Sequence, residues 1–182
     1  MACNITAGRN ESCKDSIGGL QGVYFLNFTT ASFTKNGNGE VTALPSGSTV
    51  YYYELKGQNN SYTETVNTSR DNGTTFFNQE LSITLKKLTN EMTTQLKLLA
   101  YGRPQIIVWT MNGDALLVGE KEGADMTSGT IVTGAALGDL YGYTYVASGQ
   151  ERLPAAFLSG STTSNAFAGL TSQPTIVYGT NS

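Results

Sequence analysis

The sequence predicts a mainly β protein: an antiparallel β-sandwich or small barrel with one α-helix on its flank. Three observations carry this. Segments that alternate between apolar and polar residues recur along the chain, Asn-Gly pairs punctuate them, and only residues about 90–101 place apolar side chains at helical spacing. The length of 182 residues is enough for one domain with a real core. The organisation expected is an N-terminal arm at 1–15, a sandwich domain at 16–158 with a long loop at about 33–49, and a C-terminal extension at 159–182.

The first strand expected is Gln21–Phe28, "QGVYFLNF". Tyr24, Leu26 and Phe28 fall on one face and Val23, Phe25 and Asn27 on the other. Both faces are covered, which suits a central strand. In "VYYYELKG", Tyr51, Tyr53 and Leu55 take one side, while Val50, Tyr52, Glu54 and Lys56 make a wetter one. "QELSITLKKL" (Gln79–Leu88) turns Leu81, Ile83 and Leu85 inward and Glu80, Ser82, Thr84 and Lys86 outward.

Asn-Gly is the strongest short-range hairpin signal, because both residues tolerate positive φ. Asn112-Gly113 joins "QIIVWTM" to "ALLVGE", and Asn72-Gly73 joins "SYTETVNTSR" to a strand beginning near Thr74. Asn36-Gly37 and Asn38-Gly39 lie in a stretch poor in core residues and are expected to tip a loop or arm. The helix is set by Met92, Leu96 and Leu99, with Thr89 and Asn90 as caps, Gly102 at its end and Pro104 beyond. Its apolar stripe is narrow, so it should rest against the outside of a sheet.

The last main strand lies in "GDLYGYTYVASGQERLP", where Tyr141, Tyr143 and Tyr145 alternate. The tyrosine side is expected to be buried within the chain, with Gly142 admitting a close backbone. Glu151 and Arg152 read as a charged turn, and Pro154 should end the pairing. From there the chain is expected to leave the domain toward a neighbouring subunit. Residues 159–182 hold no charged residue and could not fold alone; they read either as a segment that orders by adding "PTIVY", a competent short strand, to a neighbouring sheet or as a mobile tail.

Signals for chemistry are few. There is no histidine, charged residues make up 14% of the chain, and no catalytic motif is present, so no enzyme activity, cofactor or metal is expected. Glu120, Glu122 and Asp125 form an acidic turn, but calcium loops need more oxygen ligands at stricter spacing. Cys3 and Cys13 lack further zinc ligands, and read as free thiols or as one disulfide closing the N-terminal loop. The triplets at Asn4, Asn27, Asn67 and Asn72 fit glycosylation by chance in so Asn- and Thr-rich a chain. The net charge of −3 argues against wrapping nucleic acid. No secretory signal or membrane span is apparent, which gives a cytoplasmic site of synthesis as the expectation.

The order "CKDSIGGLQGVYFLNF", "YYYELKG", "RDNGTTFFNQELSITL", "LKLLAYGRP" and "GDLYGYTYVASGQE" resembles structural proteins of tailed bacteriophages, and more narrowly the tail tube protein family, over about residues 13–158. The resemblance implies a virion protein of the tail, assembled in the host cytoplasm. Its subunits would form hexameric rings stacked around a lumen that passes double-stranded DNA without specific binding, and its partners would be itself and other tail proteins. Related folds serve as tail hub, neck or terminator proteins, and capsid decoration proteins are a further alternative. A carbohydrate-binding sandwich using the tyrosines is the reading from a different class.

Overall fold

Alternation sets the layering. The structure, a computed structural model, describes residues 5, 7–11 and 13–179. The fold is mainly β with one helix. Six strands form one sheet: β1 (Leu20–Leu26), β4 (Thr49–Glu54), β7 (Gln105–Thr110), β8 (Ala115–Val118), β11 (Ala156–Phe157) and β12 (Thr175–Tyr178), in the order β11-β8-β7-β1-β4-β12. Four form a second: β5 (Ser61–Ser69), β6 (Thr74–Lys86), β9 (Asp125–Val132) and β10 (Gly142–Glu151), in the order β5-β6-β10-β9. A small hairpin pairs β2 (Thr34–Lys35) with β3 (Val41–Ala43).

The inward residues of the four-stranded sheet, among them Leu81, Ile83, Tyr143 and Tyr145, meet Val23, Phe25, Ile106 and Val108 of the six-stranded sheet in one core. The ring of Phe25 stands edge-on to Tyr145 at 5.8 Å. Helix α1 (Asn90–Tyr101) lies on the flank of this core, burying Leu96 with Met92 and Leu99 half-buried. Its start is capped as the sequence requires: Thr89 is extended, and its side chain accepts the N–H of Met92 at 3.1 Å.

β1 is central and pairs with both β4 and β7. The hairpin at Asn112-Gly113 joins β7 to β8, with Gly113 at φ 95°, and Asn72-Gly73 joins β5 to β6. Gly142 sits where a Cβ would collide with the Leu85 backbone on β6, so the expected close approach comes from the paired strand.

Four expectations are corrected. The second face of β4 is not wet: Val50 is fully buried, and Tyr52 packs into a second core with Tyr24, Ile107 and Trp109. The stretch around "NGNG" is not poor in core residues, since Phe33, Val41 and Leu44 cover that same core. Glu151 is no exposed turn; it ends β10, is buried, and its carboxylate accepts the N–H groups of Lys121 and Glu122 at 2.7 and 2.9 Å. The chain beyond Pro154 does not leave the domain, because β11 pairs with β8 and β12 joins β4 in parallel.

Within this charge-free segment, residues 159–174 thus cover the outer face of the six-stranded sheet, which β12 extends at its edge. Ala166 and Phe167 are fully buried, and Phe167 meets the ring of Tyr24 edge-on at 4.8 Å. Trp109 Nε1 donates to the carbonyl of Thr162 at 2.9 Å, and Thr171 N–H donates to the carbonyl of Thr42 at 2.9 Å. Backbone polar groups of an irregular segment need partners, and these neutral residues find them on the sheet and on the β2–β3 hairpin. Residues of the N-terminal arm that are described, Ile5 among them, are exposed; Cys3, and with it the pairing of Cys3 and Cys13, lies outside the described residues.

Candidate functional site

The six-stranded sheet is covered on both faces, whereas the four-stranded sheet is covered on one. Strand pairing fixes which side chains share its outer face, since residues directly opposite each other point the same way. Across the middle, Ser61 of β5 aligns with Ser82 of β6, Ser82 with Val146 of β10, and Val146 with Ser128 of β9. The next row toward Gly142 holds Thr84, Thr144 and Thr130, and the hydroxyls of Thr130 and Thr144 are 2.6 Å apart. At the other end Ser148 donates to Asn78 Oδ1 at 3.0 Å.

The face is therefore paved with hydroxyls and amides. Its charges are Glu80 midway along β6, Asp125 at the start of β9 and Lys86 at the end of β6. Glu80, Asp125 and Lys86 are all exposed. A surface of this kind offers hydrogen bonds everywhere and strong attraction nowhere, because hydroxyl dipoles exert little pull on a distant charge.

Both edges of this sheet are open among the described residues. β5 runs nine residues and β9 eight, and neither has an outer strand partner. Monomeric β proteins blunt such edges with Lys, Pro or very short strands. β5 ("SYTETVNTS") and β9 ("DMTSGTIV") contain neither Lys nor Pro. The single glutamate of β5, Glu64, is committed inward, where it accepts from Gln79 Nε2 at 3.3 Å and from the N–H of Ala155 at 3.0 Å. The β5–β6 hairpin also overhangs the core, leaving Val66 and Phe76 exposed.

No known protein family model, curated protein or solved structure matches this chain.

Residues singled out from the sequence for chemistry do not converge. Glu120 is held by Lys35 Nζ at 2.6 Å, Glu122 is exposed, and Asp125 opens β9. Among the described residues no group of His, Cys, Asp and Glu could hold a metal ion. Tyr143 and Tyr145 are fully buried and give no stacking platform; of the three tyrosines only Tyr141 is exposed. Burial raises the pKa of Tyr145, with Tyr53 and Asp125 adding to it. No helix among the described residues is long and apolar enough to cross a membrane.

Sequence reasoning found the outer face, whose signal is the alternation of "ELSITLK". It missed a cleft of about 410 Å³ where Gln79, Leu117, Glu151 and Leu153 come together at one end of the sandwich. These residues belong to β6, β8, β10 and the segment beyond, and no short-range pattern joins them.

Proposed function

We propose that this chain is a structural subunit of a bacteriophage tail tube, assembling through the open edges of its four-stranded sheet into rings that stack around a DNA-conducting lumen. The observation that carries the reading is the uncovered, nearly neutral hydroxyl face flanked by two long unblocked edges. β5 and β9 run in opposite directions within the sheet, so β9 of one subunit can pair antiparallel with β5 of the next while keeping every outer face on the same side. Repetition of that step curves the sheet into a closed wall, the arrangement that removes edges altogether.

With the outer face turned to the axis, the lumen is lined mainly by Ser, Thr and Asn, with Val146 and Phe76 among them, Glu80 midway along β6 and Lys86 at its end. DNA binds proteins chiefly by releasing counterions to clustered cations, and a wall of hydroxyls offers no such gain. The duplex can then slide without being held. The role is structural: it needs no catalytic step and no cofactor.

Negative-stain electron microscopy of the purified protein tests this. Tubes with an axial hole are expected. Rings that stop at one layer would move the chain to a hub, neck or terminator role, and a protein that stays monomeric at high concentration would defeat the reading.

A further inference from the structure

Four Asn-Gly pairs punctuate the chain, at Asn36, Asn38, Asn72 and Asn112, and each carries the means of its own modification. The peptide nitrogen that follows an asparagine can attack the side-chain carbonyl carbon. A bond forms from that nitrogen to Cγ, the Cγ–Nδ2 bond breaks, and ammonia leaves with the proton that the peptide nitrogen gives up. Water then opens the succinimide ring at either carbonyl, giving aspartate or isoaspartate. Glycine in the second position favours ring closure, because it has no Cβ to obstruct the approach. Geometry decides the rest: the asparagine side chain must be free to rotate, and the glycine N–H must be released from its hydrogen bond.

The fold separates the four pairs. Asn36 is tied through its whole side chain: Oδ1 accepts the N–H groups of Asn38 and Glu40 at 2.9 and 3.0 Å, and Nδ2 donates to Glu40 Oε2 at 2.7 Å. Asn112 is tied through Oδ1, which accepts the N–H of Ile17 at 2.9 Å, while Gly113 is buried against Thr162 and Thr163 and donates to the carbonyl of Thr110 at 3.1 Å. Asn38 has an untied side chain, but Gly39 donates to the carbonyl of Asn36 at 3.0 Å, inside a turn that the Asn36 N–H closes on the carbonyl of Glu40 at 2.9 Å.

Asn72 is loose on every count. It is exposed, its side chain has no hydrogen-bond partner among the described residues, and the space around Gly73 is open. The N–H of Gly73 reaches the carbonyl of Arg70 only at 3.4 Å, and that of Asn72 reaches Ser69 Oγ at 3.3 Å, both beyond the ordinary N–H···O range. The turn tips a hairpin that overhangs the core, and an end with so few buried contacts opens at little cost in free energy.

We infer that Asn72 is a site of spontaneous deamidation, converting ahead of Asn38 and well ahead of Asn36 and Asn112, which the fold protects. Conversion adds a negative charge beside Asp71, and the isoaspartate form also lengthens the backbone at the turn joining β5 to β6. The fraction of chains with a carboxylate at this position therefore records time since synthesis. The inference concerns the folded subunit alone and is independent of the tube reading.

Purified full-length protein, aged in warm, mildly alkaline buffer and sampled over time, tests it. Peptide mass spectrometry reads the change from amide to carboxylate at each site, fragment spectra separate Asn36 from Asn38, and an isoaspartate methyltransferase reads the rearranged product. Asn72 is expected to convert first and several-fold faster than Asn38, with Asn36 and Asn112 intact over the same interval. In guanidinium chloride the four are expected to convert at similar rates, since only the fold tells them apart. Any other of the four keeping pace with Asn72 in the folded protein would overturn the inference. So would the same order surviving in denaturant, because sequence and not structure would then set it. Asn72→Ser keeps a turn-forming residue without the amide and is expected to abolish the early acidic species on isoelectric focusing; an undiminished acidic species from that variant would also overturn it.

Discussion

The phenol of Tyr143 closes on the backbone of Thr89, accepting its N–H at 3.0 Å and donating to its carbonyl at 2.9 Å. Tyr143 belongs to the inter-sheet core and Thr89 is the N-cap of the helix, so one hydroxyl fixes the helix to the sheet. Thr93 Oγ1, at 2.8 Å from the same oxygen, completes the knot. Tyr143→Phe keeps the ring and strips these bonds, and is expected to cost roughly 1–3 kcal/mol of stability. Tyr143→Ala also removes the buried ring and should cost about 3–5 kcal/mol. Chemical denaturation of both variants checks this; a Phe variant as stable as the parent would mean that the hydroxyl contributes nothing.

Phe167 makes a parallel case for the charge-free segment. Its side chain is fully buried against Tyr24, so Phe167→Ala should destabilise by about 3–5 kcal/mol. Removing residues 159–182 should bare Trp109 and shift its fluorescence to longer wavelength. A truncated chain with parental melting and emission would show that this segment is dispensable.

High pH should unfold the protein through its tyrosines. Burial raises the pKa of Tyr24, Tyr62 and Tyr145 above the usual 10.0. The unfolded chain therefore releases these protons first: the stability they contribute is whole below pH 10.0 and falls as pH rises beyond it toward the folded values. Among the described residues the Tyr145 hydroxyl has no hydrogen-bond partner, and ionising it would strand a charge in the core. Ultraviolet titration should find these tyrosines ionising together with the loss of structure. Smooth ionisation in a chain that stays folded would contradict the prediction.

Asp139 should respond at the acid end. The N–H groups of Ala136 and Ala135 hold its pKa below the usual 3.8. A depressed carboxylate contributes above its unfolded pKa and ceases to as pH falls through the folded one, so the β9–β10 loop should keep its form at neutral pH and loosen only in stronger acid. Amide exchange at Ala135 and Ala136 reads this directly, and Asp139→Asn should speed it at pH 7.

Surface lysines on the outer face give a functional test. Thr130→Lys with Thr144→Lys replaces two directly paired hydroxyls of the outer face, and the like charges standing opposite each other should cost about 1 kcal/mol of stability without unfolding the chain. If that face lines a lumen, the assembled variant should retain DNA that the parent releases, with an affinity that falls steeply as salt is raised. Equal, weak binding by both assemblies would place the face elsewhere.

Local chemistry made much of this fold legible. Thr89, Met92, Leu96 and Gly102 specify a helix from its own residues, and Asn112-Gly113 specifies a hairpin for the same reason. Period two in "ELSITLK" marked the outer face of the second sheet. The covering layers were not legible, because Phe33, Val41, Leu44 and Phe167 follow neither period and reach the same core from distant parts of the chain. Glu151 was misread because its partners, Lys121 and Glu122, sit in another turn, and a glutamate next to arginine in sequence looks wet. The cleft beside Glu151 was missed for a related reason: it exists only once four separated segments have met.

The parallel pairing of β12 with β4 also sets a timetable for synthesis. Val50, Tyr52 and Trp109 emerge from the ribosome well before Phe167 and Ile176, the residues that shield them. Until those arrive, the growing chain carries an aromatic sheet face open to water and to other chains, a state that invites chaperones and aggregation. Closing it waits on contacts of long sequence separation, which form slowly. A subunit made this way becomes competent to meet its neighbours late, after its own aromatic surface has been put away.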